Sequence, residues 1–86
     1  MAKYYFDLRE EGRFVADDDG QDFPDLDAAE QEAAQVAAEI SRNKLPKGEA
    51  REIVIEVRNE HGQRVLTARV GLTIVRVAPA PDPPAR

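Results

Sequence analysis

YYFDLREEGRFVADDDGQDFPDLDAAEQEA, residues 4–33, writes a β-hairpin, an acidic turn and a capped helix start in consecutive order. Tyr4, Phe6 and Leu8 alternate with Tyr5, Asp7 and Arg9, the period of two that marks a strand with one buried side. Glu10-Glu11-Gly12 supplies a short turn, and Arg13 to Asp17 is expected to return with Phe14 and Ala16 inward. Asp17-Asp18-Asp19-Gly20 is a second turn signal, and Gln21 to Phe23 adds a few extended residues before Pro24, which keeps its predecessor out of helical geometry. Asp25 is placed to cap a helix running to about Asn43, with Asp27 and Glu30 adding negative charge where the helix dipole favours it.

Outward from that stretch, Leu26, Ala29, Ala33, Val36, Ala37 and Ile40 recur at three and four residues and define the inner helix face. Arg42 and Lys44 suit its last turn, and Pro46 and Gly48 end it. Much of this face is alanine, so the large core side chains must come from strands. Arg51 to Arg58 alternates Ile53, Ile55 and Val57 inward with Val54 and Glu56 outward, and Asn59-Glu60-His61-Gly62 turns the chain into Val65 to Val70. Residues 71–77 continue in β-prone residues after a bend at Gly71. The element order β-β-α-β-β predicts an α+β fold, one helix packed on a four-stranded antiparallel sheet in the order 2-1-3-4. Residues 1–78 are expected to form one domain, and 79–86, with four prolines in eight residues, a disordered tail.

Three motifs, Tyr4-Tyr5-Phe6-Asp7-Leu8, Asp17-Asp18-Asp19-Gly20 and Pro24-Asp25-Leu26-Asp27-Ala28-Ala29, resemble a family of short bacterial proteins known as a domain of unknown function. Its pattern is Y-Y-F-x-L, an acidic D-x-x-G turn and a P-D-L-x-A-A helix start, and the resemblance covers roughly residues 3 to 70. It implies no activity, substrate or site. The chain departs from the pattern in the strand-like run Val70 to Val77.

A chain of 86 residues buries only about 60–65 per cent of its unfolded surface, so its core is thin. It has no cysteine, which excludes disulfides and thiolate metal sites, and no apolar run follows Lys3, so neither a signal peptide nor a membrane span is expected. A cytoplasmic bacterial protein is the expectation. The net charge of −5 argues against a general nucleic-acid surface, yet it hides a separation. Nine acids and no Lys or Arg lie between Asp17 and Glu39, while the remainder holds twelve basic residues against eight acids.

No catalytic residue is predicted: the one histidine, His61, falls in a hairpin turn and the one serine, Ser41, in a helix, so the chain is read as non-enzymatic and without a cofactor. The acidic turn is not read as a metal site either, because with Gly20 as the sixth residue an EF-hand would open on Val15 and lack its closing Glu. The outward sheet face is expected to show Tyr5, Arg9, Arg13, Arg58 and Arg69, a candidate surface for a protein partner. RNA or nucleotide binding through the same face is the alternative, supported by no aromatic RNP pattern or Gly-rich loop. Arg9, Arg13, Arg58 and Arg69 contiguous and unpaired with Asp7 and Glu56 would favour it. A homodimer edge is expected at Leu72, Ile74 and Val75. The terminal P-x-x-P-x-R run reads as part of a solubilising tail.

Overall fold

The computed structural model describes residues 1–78. Its elements are β1 (Ala2–Glu10), β2 (Arg13–Val15), β3 (Gln21–Phe23), α1 (Leu26–Lys44), β4 (Glu52–Asn59) and β5 (Arg64–Gly71). They form one helix against an open antiparallel sheet in the order β2-β1-β4-β5, with β1 and β4 central. The sheet has five strands, not four, because β3 pairs with residues 2–4 of β1 on the edge that β2 covers at residues 8–10.

The first hairpin corrects a facing. Glu10 pairs with Arg13, so the turn is only Glu11-Gly12, both at positive φ (39° and 75°), the two-residue geometry that suits strand twist. A turn one residue shorter than the sequence reading allowed exchanges the faces of β2. Val15 lies opposite Leu8 on the helix side and Phe14 opposite Arg9 on the open side, the reverse of the expectation. Arg13, opposite Glu10, also leaves the open face.

Asp25 caps α1 as expected, its Oδ1 accepting from the Ala28 N–H at 2.9 Å. Ala29, Ala33 and Ala37 are fully buried, and their small side chains let the helix lie on Ile53, Ile55 and Val57, the largest fully buried groups. Leu26, expected inward, is exposed in the first turn. Phe23 of β3 adds an aromatic cluster at the helix start, its ring 5.6 Å from Phe6 and 6.2 Å from Tyr4.

The strand expected to continue through Val77 stops at Gly71. Gly71 lies opposite Glu52, the first residue of β4, so the ladder runs out of partners. One further bond, from the Leu72 N–H to the Arg51 carbonyl at 3.3 Å, ends it. The expected proline-rich tail 79–86 and its P-x-x-P-x-R run lie outside the described residues.

Candidate functional site

Outward-facing residues of β1 and β4 meet on the face that α1 leaves bare. The register sets Tyr5 beside Arg58, Asp7 beside Glu56, and Arg9 beside Val54. Asp7 and Glu56 are thus two carboxylates in directly opposed positions, which repel unless cations intervene. Arg58 answers Asp7 with a bidentate pair, Nε at 2.7 Å and Nη2 at 3.1 Å. Glu56 Oε1 is shared by Arg9 Nη2 at 3.4 Å and Arg64 Nη2 at 3.2 Å. Folded over by these long side chains, Asp7 and Glu56 are buried, and so is Val54.

The acidic turn is pinned to this layer. Asp17 Oδ2 accepts from the Phe6 N–H at 3.0 Å, in the gap of the β1 edge between β2 and β3, and its Oδ1 accepts from the Asp19 and Gly20 N–H groups, both at 3.1 Å. The Asp17 N–H donates to Asp7 Oδ1 at 2.9 Å, and its carbonyl accepts from Arg58 Nη2 at 3.0 Å. Tyr5 closes the stack: the Arg58 guanidinium lies 4.8 Å from its ring centre, while a Cβ on Gly20 would come within 2.8 Å of its Cε2. Gly20 is at φ +70, so both backbone and space call for glycine.

Burial works to raise the Asp7 pKa, but the Arg58 bond, the Asp17 N–H and the nearby Arg64 charge together hold it below the ordinary aspartate value. Asp17 is likewise lowered, because the N–H bonds from Phe6, Gly20 and Asp19 outweigh burial and the Asp7 charge. The Arg58 pKa is raised, chiefly by its bond to Asp7. Both carboxylates therefore stay charged and occupied.

Of the residues expected on this face, Tyr5, Arg9, Arg58 and Arg69 are brought together, and Arg69 pairs with Glu52 at 3.6 Å. Arg13 lies on the helix side, 3.8 Å from Glu10, whose carboxylate binds Lys44 at 2.6 Å. The sequence reading omitted Phe14, which is 47% exposed with Arg9 stacked 4.7 Å over its ring, and Arg64. An Asp in mid-strand opposite a Glu was the signal that arginines would gather here. Arg9 and Arg58 are paired with Glu56 and Asp7, so the unpaired cluster that an RNA surface called for is not formed.

Ser41 is buried in α1 and His61 lies exposed in the β4–β5 turn, where its backbone N–H donates to Asn59 Oδ1 at 2.9 Å. Gly62 takes a left-handed position at φ 78°. Among the described residues no group of three or more His, Asp or Glu is arranged to hold a metal ion, and no helix is long and apolar enough to cross a membrane.

Residues 3–71 fit the family described as Domain of unknown function (DUF6894), and the chain belongs to it. No curated protein and no solved structure matches. The matched region ends at Gly71, the last residue of β5.

Proposed function

We propose that this member of an uncharacterised family is a non-enzymatic protein-interaction module that docks a partner protein on the open sheet face. The observation that carries the reading is the pair of Arg–aromatic stacks, Arg58 on Tyr5 and Arg9 on Phe14, fixed from beneath by Asp7 and Glu56. Tyr, Phe and Arg are enriched at the centres of protein interfaces. Ordering a long side chain on binding costs roughly 0.5–1.5 kcal/mol, and ion pairing in the unbound chain removes part of that cost in advance. Phosphate recognition has weaker support, since Asp7 and Glu56 offset the arginines they hold. Arg–aromatic stacks also suit unstacked bases, and the test distinguishes the two ligands.

The full chain and a Phe14→Ser/Arg9→Gln variant, matched for folding by circular dichroism, serve as baits for mass spectrometry and for sequencing of bound nucleic acid. The expected result is a discrete protein retained by the parent, lost from the variant and unaffected by nuclease. Equal protein profiles on both baits, or capture abolished by nuclease, would overturn the reading.

A further inference from the structure

Among the described residues β5 is a bare edge, pairing with β4 alone. The direction of its backbone is set by the Leu72 N–H bond to Arg51, which points Leu72 toward β4. Alternation then turns the N–H and C=O groups of Thr67, Arg69 and Gly71 to the outside, and those of Thr73 and Val75 too if the strand is prolonged. Side-chain alternation also runs through the end of the strand. Leu66, Ala68 and Val70 pack on the core from the helix side, and Leu72 and Ile74 share their parity. Yet Ile74, Val75 and Val77 are 79%, 76% and 85% exposed. Among the described residues, 72–77 thus carry a strand's sequence without a strand's partner, beside an edge that lacks one.

We infer that a second copy of this chain covers this edge, pairing residues 65–77 antiparallel with the same segment across a two-fold axis at Gly71. That centre sets Arg69 opposite Thr73 of the partner subunit, Ala68 opposite Ile74 of the partner subunit, and Val70 opposite Leu72 of the partner subunit. No arginine faces an arginine, and small residues meet large ones. A two-fold at Arg69 would oppose that arginine to its own copy. One at Thr67 would carry Ile74 and Val75 past the partner's strand and leave them bare. Gly71 also puts no side chain at the axis. The opposite edge of the sheet has no such need, being divided between β2 and β3 with Asp17 filling the gap between them.

Thirteen residues a side fall short of the 20–30 of a standard interface, so a weak dimer whose population depends on concentration is expected. Pairing at the edge leaves the open face uncovered, so this inference and the partner-docking reading stand or fall separately. Sedimentation velocity of the full chain from about 1 to 200 μM reads the mass. Val75→Pro removes an outward donor that makes no backbone bond among the described residues, and so leaves the fold intact while blocking the ladder. Gly71→Cys gives the otherwise cysteine-free chain one thiol at the axis. Its Cβ would meet nothing closer than 3.8 Å, and a directly opposed hydrogen-bonded pair has a Cα separation of about 5.5 Å, within disulfide reach. Expected are a concentration-dependent doubling of mass, its loss in Val75→Pro, and disulfide-linked dimers of Gly71→Cys on oxidation. A monomer across the range, a dimer that survives Val75→Pro, or a dimer in which Gly71→Cys does not cross-link would overturn the inference.

Discussion

The two faces of the central sheet are both closed to water, but by different means. Under α1, Ile53, Ile55 and Val57 are buried against alanines, and the driving force is removal of apolar surface. On the opposite face Asp7, Val54 and Glu56 are also buried, although no helix or strand of the described residues lies over them. Arginines fold over Asp7 and Glu56, each guanidinium returned to a carboxylate beneath, and the Asp17 turn adds its N–H to Asp7. A thin domain can thus close the second face of its sheet without a second helix, at the cost of burying charges that must all be answered.

Breaking each face in turn should separate the two mechanisms. Ile55→Ala should have the largest effect, about 2–5 kcal/mol in urea unfolding, because it opens a cavity at a fully buried site. For a domain this small the loss approaches its whole stability. Arg58→Met should cost less, roughly 2–3 kcal/mol, since it leaves Asp7 facing Glu56 without its bidentate partner while keeping the apolar stem. The side chain of Arg58 is about a third exposed, and water will screen part of the loss. An Arg58→Met cost near zero would mean that the open face is not sealed by charge. Gly20→Ala should cost about 1–3 kcal/mol, from φ +70 and from displacing Tyr5 off Arg58, read as a fall in Tm. Arg69→Ala should be smallest, below about 1 kcal/mol, because its pair with Glu52 is exposed.

The apolar face was legible in the sequence. Alternation in Tyr4, Phe6, Leu8 and in Ile53, Ile55, Val57 marked the two central strands, the Asp25 cap and the alanine stripe marked the helix, and the β-β-α-β-β element order gave the strand order. The charged face was legible only as a set of outward residues. Its bonds join Asp7 to Asp17, ten residues on, and Asp7 to Arg58, fifty-one residues on, and no local period encodes such separations. Phe14 and Val15 were misplaced because one residue in the turn reverses a strand, and Glu10-Glu11-Gly12 permits either length. Val70 to Val77 reads as one strand by propensity, but a strand needs a neighbour, and β4 begins only at Glu52.

The sealing of the open face by charge is tested most directly by following the Asp7 and Asp17 carboxyl carbons through an NMR pH titration, with and without Arg58→Met. Both folded-state values lie below the ordinary aspartate value of about 3.9, so the unfolded chain takes up protons first as the pH falls. The stability these groups contribute is therefore full above about pH 4 and is lost as the pH drops through their depressed folded values. The expected result is two midpoints below about 3.9, with that of Asp7 rising in Arg58→Met. Midpoints at or above the ordinary value, unmoved by the substitution, would contradict it and leave Asp7 and Asp17 as solvated carboxylates on an open sheet.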